Sequence, residues 1–457
     1  MMFATVKRPV LLAICAIALV HAAVFIGYQK SDWGISWTDQ AGYMRLGEVL
    51  ATRGSFTRYP DSPTFVPEVI RTPGYPVFVA AVYRVAGPGQ LPVAVAQAVV
   101  FALLAMLTYA LARRVAAERV ALGAGLLTAL YPMLPYFGAL VLTELWTTFV
   151  ATAAMLVCLR AVHQRRLTDF ALAGALFSAT TLVRPVFVLL PFGLAMAMPI
   201  LFPAERRRAA LGRWALLAVV AALTLAPWFT YNYVKLGQFT LAPAGGVGRG
   251  LWEGVWQGRW SGRTHSRLTA LAGQPTDDAS LDIQVRAVAS EGRYEAGPML
   301  EYVHEWRDLR AGWEAPTDPM ERATARVQAD SDYLNAALAH MRADPWGHLT
   351  RRLTSGTFFL WAADLPIRYS DINATPPLVI RAIWLAQVVL LVIAGVGAVT
   401  LFQRGQRLEV ALLMLPMLYV TAVHLPMLCD SRLTLPQRPL AFVLAAVGMS
   451  RLWSKRG

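Results

Sequence analysis

Residues 120–159 read VALGAGLLTALYPMLPYFGALVLTELWTTFVATAAMLVCL, and Glu144 is the one charged residue in the whole stretch. A helix needs about 20 mostly apolar residues to cross the hydrocarbon core of a bilayer, so this stretch has room for two crossings. Similar uncharged stretches recur along the chain. The fold class they predict is an all-α polytopic membrane protein with about ten spans, near residues 9–28, 85–112, 120–143, 145–159, 170–183, 185–204, 214–234, 382–403, 410–429 and 439–450.

The composition favours the same class. Of the 457 residues, 56% are hydrophobic and only 15% are charged, whereas soluble domains are about one quarter charged. A net charge of +14 would suggest nucleic acid as the partner of a soluble protein, but the apolar excess argues against that class. Cys15, Cys158 and Cys429 lie in apolar stretches, and three cysteines give no disulfide framework.

The positive charges predict how the chain lies in the membrane. If the N-terminus is cytoplasmic, the short inner loops hold 17 of the 42 Lys and Arg residues and 4 of the 28 acids. Such enrichment is typical of cytoplasmic loops. We therefore expect a cell inner (cytoplasmic) membrane protein with both termini in the cytoplasm and the first span retained as an anchor. Residues 73–87 form either an eleventh span or a half-inserted piece, and Pro73, Pro76 and Pro88-Gly89 favour the half-inserted piece.

This topology divides the chain into three parts and places both long loops outside. Residues 277–344 have helical spacing, with two helices separated by Pro316 and Pro319, and residues 348–361 resemble a helix lying on the membrane. Glycines around the evenly spaced Trp252, Trp256 and Trp260 favour a loop there. The expected parts are a transmembrane module (1–230) with its first outer loop (29–89), a small helical periplasmic region (231–375) and C-terminal transmembrane helices (376–457).

Two acidic residues are candidates for chemistry on the outer side. Asp39 begins an amphipathic helix in the segment SWTDQAGY, residues 36–43, with Tyr43 one turn later. Asp39 either caps this helix or acts as a base at the membrane surface. Glu144 has no cationic neighbour in sequence, and an ionisable residue among apolar segments usually faces a cavity or a partner. Its function is therefore catalytic or, alternatively, that of a structural ion pair.

Three arginines lie near the same surface. Arg71 opens the rigid segment RTPGYP, residues 71–76, and can either grip a phosphate or anchor the chain at the lipid headgroups. Arg184, in LVRP, and Arg432, in RLTLP, stand at the outer ends of predicted spans. Taken alone each is typical of an anchor, whereas together with the two acids they could form one charged cavity. Arg438 is predicted to lie deeper in the membrane than an arginine that anchors a helix end.

These motifs, in order, resemble the GT-C superfamily of integral membrane glycosyltransferases. The resemblance is strongest to the branch of aminoarabinose-lipid A transferase-like and protein O-mannosyltransferase-like enzymes. It rests on Asp39 with Tyr43, then on RTPGYP, LTE, LVRP, the APW and YNY segments at 226–233, and finally RLTLP. Two positions depart from the family pattern, because Gln40 replaces a second acid and Leu433 replaces a tyrosine.

The resemblance implies transfer of a sugar from a polyprenyl-phosphate donor to a glycan, lipid or protein acceptor by inverting single displacement. It implies that two residues are catalytic, Asp39 and Glu144, and that five bind substrate, Arg71, Tyr43, Tyr75, Arg184 and Arg432. No cofactor is identified. A divalent cation stays an alternative, but the sequence has no metal-ligand motif for it. Asp330-Ser331-Asp332 is a weak match to DxD, a pattern with which some sugar-nucleotide enzymes hold a metal. A transporter or flippase for a lipid-linked or anionic substrate is the alternative, and a ligase using pyrophosphate-linked lipids is a second enzyme class.

Overall fold

The computed structural model describes residues 8–33 and 38–454, and no β-strand occurs in those ranges. Lys7, Lys455 and Arg456 of the charge pattern, with Ser36 and Trp37 of the first-loop motif, lie outside the described residues. The N-terminal part contains ten α-helices: α1 (Arg8–Gln29), α2 (Thr38–Arg53), α3 (Gly74–Ala86), α4 (Gln90–Ala112), α5 (Glu118–Leu130), α6 (Met133–Gly138), α7 (Glu144–Gln164), α8 (Leu167–Val183), α9 (Leu190–Ala197) and α10 (Ala204–Leu236).

Seven helices follow in the region predicted to be outside, and three more complete the chain. Their bounds are α11 (Val247–Trp256), α12 (Gly262–Ala272), α13 (Asp278–Gly292), α14 (Ala296–Glu314), α15 (Pro319–Ala343), α16 (Pro345–Arg351), α17 (Thr357–Trp361), α18 (Pro377–Gln403), α19 (Arg407–His424) and α20 (Arg438–Ser454). A π-helical turn, Arg352–Gly356, joins α16 to α17, so residues 345–361 form one helical run.

The chain is a multi-pass membrane protein. In the part that the structure describes, six helices are long and apolar enough to cross a bilayer: Pro9–Gln29, Gln90–Ala112, Glu144–Gln164, Ala204–Leu236, Pro377–Gln403 and Arg407–His424. Helix α3, with 13 residues, is about 20 Å long, which is too short for a perpendicular span. The total of ten spans stays a prediction.

Prolines interrupt two of the expected spans, so neither forms a single helix. Residues 120–143 do not form one helix, because α5 ends at Leu130 and Tyr131 is extended before Pro132. A residue before proline avoids the helical conformation, since the proline ring clashes with its backbone. Residues 185–204 likewise divide into α9 and two short 3-10 turns at Pro185 and Pro199.

Helices α11 to α15, which we call the outer helices, have a hydrophobic core of their own. Trp252 and Trp256 lie on α11 and are fully buried in this core, so the expectation of a loop is wrong for them, whereas Trp260 lies beyond the end of the helix. The helix can form because glycine at 248 and 254 lets its backbone lie against neighbouring segments, where a side chain would clash. The two helices predicted on either side of Pro316 and Pro319 are α14 and α15, and the Asp318 carboxylate caps α15.

Candidate active site

Helix α2 places Asp39 and Tyr43 on one side of a cavity. Its apolar residues Leu46 and Val49 are buried against the membrane part, which fixes the rotation of the helix about its axis. Asp39 stands in the first turn, where the helix dipole favours a negative charge. Its side chain is 53% exposed, so the carboxylate faces the cavity and remains reachable.

The Arg71 side chain crosses over α2 and contacts Asp39 and Tyr43. Its Nη2 donates to the Asp39 carboxylate at 3.1 Å and to the Asp39 carbonyl at 3.3 Å. The guanidinium lies 4.7 Å from the centre of the Tyr43 ring, a cation–π distance. This approach needs glycine at position 42, because a Cβ there would stand 2.6 Å from the guanidinium carbon.

Two buried polar residues hold this arrangement, and sequence reasoning missed both roles. The Glu68 carboxylate accepts from the backbone N–H groups of Ile70 and Arg71 and pairs with Arg58 at 2.6 Å. The Gln40 amide oxygen accepts from the Val141 N–H at 2.8 Å and so ties α2 to the segment before Glu144. Glu68 stands in no motif, so the sequence does not indicate its role. Gln40 attracts notice in the sequence only as a departure from the family pattern.

Glu144 lies on the opposite wall, in the first turn of α7. One carboxylate oxygen, Oε1, accepts from Arg184 Nη2 at 2.9 Å and lies 3.9 Å from Arg432 Nη1. The side chain is only 2% exposed, yet its other oxygen, Oε2, has no hydrogen-bond partner within residues 8–33 and 38–454. A buried carboxylate oxygen of this kind is an open acceptor for a ligand.

The two arginines on this wall are aimed by local sequence. Pro185 ends α8 and holds Arg184 in an extended conformation, with φ −135° and ψ 109°. Arg432 is the second residue of a 3-10 turn, Ser431–Gln437, that is capped by Asp430, whose carboxylate accepts from the Arg432 N–H at 3.0 Å. Both guanidinium groups therefore point towards Glu144 from different parts of the chain.

The resulting space, which we call the arginine cavity, has a volume of about 190 Å³. Burial raises the pKa of the Tyr43 hydroxyl to about 12, although the charge of Arg71 opposes this, so the hydroxyl is a neutral hydrogen-bond donor at neutral pH. Three guanidinium groups face two carboxylates, and this excess of positive charge suits an anion such as phosphate. Its charged and aromatic lining consists of Asp39, Tyr43, Arg71, Glu144, Arg184 and Arg432.

Tyr75 and Arg438 lie outside this cavity. Tyr75 is fully buried behind Tyr43, with ring centres 5.1 Å apart, and its hydroxyl donates to the Gln97 amide oxygen at 3.1 Å. A substrate-binding role for Tyr75 stays a prediction, and its contacts are those of a support for Tyr43. Arg438 is also fully buried and pairs with Asp364 at 3.1 Å, joining α20 to the segment after α17.

No group of three His, Cys, Asp or Glu side chains is placed to hold a metal in the described ranges. In the DxD segment, Asp330 accepts from the Arg249 N–H and Asp332 accepts from Gln328. The two carboxylates of the arginine cavity each face an arginine. This donor set fits an anion better than a cation.

Comparison with known proteins finds a partial match to one family and a similar fold. The family described as dolichyl-phosphate-mannose-protein mannosyltransferase matches residues 70–231, about a third of the chain. The match includes Arg71, Glu144 and Arg184 but stops short of Asp39 and Arg432. A comparison with curated proteins finds no match.

Solved structures of an archaeal oligosaccharyltransferase from Archaeoglobus fulgidus are similar over nearly the whole chain. The apo form has a TM-score of 0.54 and 16% identity, with 98% of this chain and 51% of that chain covered. The AglB complex with an inhibitory peptide and a dolichol-phosphate has a TM-score of 0.53 and 15% identity, with 97% and 50% covered. The chain has the GT-C fold.

The GT-C fold was expected from the ordered motifs, and the structural similarity confirms it. The chain spans about half the length of the archaeal enzymes that it matches. ArnT from Cupriavidus metallidurans bound to undecaprenyl phosphate is 17% identical, with 96% of this chain and 77% of that chain covered, but its TM-score of 0.40 is too low to support a statement about the fold.

Proposed function

We propose that this GT-C protein transfers a sugar from a polyprenyl-phosphate carrier to an acceptor on the outer face of the cytoplasmic membrane. The observation that carries the proposal is the arginine cavity. It gathers charged residues from five separated parts of the chain, and it pairs an excess of guanidinium groups with a reachable carboxylate. The family match and the GT-C fold support the same reaction class.

In this reaction the Asp39 carboxylate accepts the proton of the acceptor hydroxyl. The hydroxyl oxygen attacks the anomeric carbon of the donor sugar, the bond from that carbon to the phosphate oxygen breaks, and its electron pair stays on the polyprenyl phosphate. One displacement inverts the anomeric configuration. Asp39 suits the base because its side chain is half exposed, whereas Glu144 is buried between two arginines.

The arginines act on the leaving group. Negative charge grows on the phosphate as the sugar departs, and fixed guanidinium groups stabilise it without having to reorganise. Arg71 is 8% exposed and held at both its backbone and its guanidinium, so it enters the reaction already oriented. We assign the open oxygen of Glu144 to a hydroxyl of donor or acceptor.

Helix α7 supports an extracytoplasmic position for this chemistry. Its 21 residues rise about 30 Å, the thickness of the hydrocarbon core, from Glu144 at one end to the basic residues Arg160, Arg165 and Arg166 at or just beyond the other. Basic residues mark the cytoplasmic side, so the cavity belongs at the outer side. A carrier lipid can then deliver the sugar where sugar nucleotides are absent.

The test is lipid and glycan profiling of a deletion strain complemented with variants. We expect the strain to accumulate a polyprenyl-phosphate sugar and to lack one glycosylated product. Arg71→Ala should fail to restore the product, whereas Arg84→Ala should restore it, because Arg84 is exposed and its hydrogen bonds within the described residues go to two carbonyls near the end of α2. A donor that crosses the membrane in reconstituted vesicles without loss of its sugar–phosphate bond would instead establish a flippase.

A further inference from the structure

A second cavity adjoins the arginine cavity on the side of the outer helices. It has a volume of about 160 Å³ and lies between the start of α11, the end of α14 and the middle of α15. We call it the outer cavity. Ile70 and Gly245 line both cavities, so a molecule held in the outer cavity borders the space beside Asp39 and Arg71.

The outer cavity combines aromatic and charged side chains. Trp313 and Tyr333 provide the aromatic surfaces, while Arg249, Arg326 and Asp330 provide the charges. The Arg326 guanidinium lies 4.4 Å from the centre of the Trp313 ring. A sugar ring fits such a lining, because its flat C–H face packs on an aromatic ring while its hydroxyls bond to charged planar groups.

Arg326 adds an unsatisfied donor to this lining. Its Nε is buried and has no hydrogen-bond partner within the described ranges. Burial, with the charges of Arg58 and Arg71, lowers the pKa of Arg326, so an anion beside it would relieve both costs. Asp330 accepts from the backbone N–H of Arg249 at 3.3 Å, while the Arg249 guanidinium pairs with Glu253.

The volume limits what the outer cavity can hold. A cavity of about 150 Å³ accommodates one six-membered ring such as benzene, whereas drug-sized ligands need about 300 Å³ or more. The outer cavity is therefore of the size of a single ring.

From this lining and its shared wall with the arginine cavity, we infer that the outer cavity is the acceptor subsite and binds a monosaccharide unit that carries a phosphate or carboxylate group. This inference rests on the proposed function, and it makes the acceptor an anionic glycan. Trp313 would pack against the sugar ring and Arg326 would bind the anionic substituent, which leaves a hydroxyl directed across Ile70 towards Asp39.

Binding of small probes to the purified full chain tests the subsite without the transfer reaction. Saturation-transfer NMR would compare methyl α-glucoside, its 6-phosphate and methyl glucuronide. We expect the two anionic probes to bind at least tenfold more tightly than the neutral one. Arg326→Gln should remove this preference, and Trp313→Leu should weaken the binding of all three probes. Arg342→Gln, at an exposed position on α15, should change neither the preference nor the affinities.

The outcomes separate the inference from the proposed function. Equal binding of all three probes, or a preference that survives Arg326→Gln, would overturn the anionic subsite even if the protein transfers sugar. Tighter binding of a short peptide than of any sugar probe would also overturn it. Selective binding of the anionic probes, lost in Arg326→Gln, supports the subsite, whereas absence of donor cleavage in the wild-type protein would count against the glycosyltransferase alone.

Discussion

Replacing Gly42 by alanine should damage the arginine cavity while leaving the fold intact. The new Cβ would stand 2.6 Å from the guanidinium carbon of Arg71, and its other close neighbours are the two terminal nitrogens of the same group. The flexible end of a side chain can move away, so the backbone need not shift. Alanine also favours a helix over glycine by about 1 kcal/mol, which protects the stability of α2.

The size of the effect follows from these distances. Carbon atoms in ordinary contact are about 3.5–4.0 Å apart, so the guanidinium must move by about 1 Å. Its 3.1 Å bond to the Asp39 carboxylate is then lost, and on the proposed function the group is no longer oriented for the donor phosphate. A hydrogen bond to a charged group contributes about 1.5–3 kcal/mol, which corresponds to a fall in kcat/KM of about 10- to 100-fold.

The assay is sugar transfer in reconstituted vesicles, with thermal unfolding in detergent measured in parallel. Gly212→Ala is the matched control, because it lies within helix α10 and has no atom within 4 Å of the added Cβ. We expect Gly42→Ala to lose activity without a lower Tm and Gly212→Ala to keep both. Wild-type activity in Gly42→Ala would refute the claim that the position of Arg71 over α2 matters for transfer.

Three further predictions concern other parts of the molecule. Asp39→Asn should reduce transfer by about 10²- to 10⁴-fold while donor binding persists, because only the base is removed; full activity would reject the assignment. Arg438→Met should lower the free energy of unfolding by about 3–5 kcal/mol, since it leaves the buried Asp364 charge unpaired, and adding Asp364→Asn should recover part of the loss in a thermal assay. The hydrogen bond that His340 donates to the Glu305 carboxylate raises the pKa of His340, so its stabilisation is complete below about pH 6.5 and is lost as pH rises through the higher folded pKa. Proteolysis of the outer helices should increase there, except in His340→Gln.

Charges placed in apolar sequence predicted much of the candidate site. Glu144 stands out because an ionisable residue among apolar segments is costly, and the other four because they lie at the ends of predicted helices or apolar segments: Asp39, Arg71, Arg184 and Arg432. The structure brings all five around one cavity. Their roles stay predictions. The similarity of motif order was enough to predict the fold class.

Other features depend on contacts that sequence patterns do not reveal. The resemblance groups Tyr75 with Tyr43 as substrate-binding residues, but the Tyr75 side chain faces the interior and bonds to Gln97. Glu68 acts through backbone N–H groups that only the folded turn presents. Trp252 was assigned to a loop because of nearby glycines, which in fact allow close packing of a helix.

The sequence distance between Asp39 and Arg432 has a consequence for biogenesis. Asp39 is synthesised early, whereas Arg432 lies just ahead of α20, which is itself held by the Arg438–Asp364 pair. A nascent chain that has not reached residue 432 therefore has a reachable carboxylate but lacks one of the three guanidinium groups of the arginine cavity. On the proposed function, such a chain should bind a lipid phosphate less tightly than a chain that extends through α20.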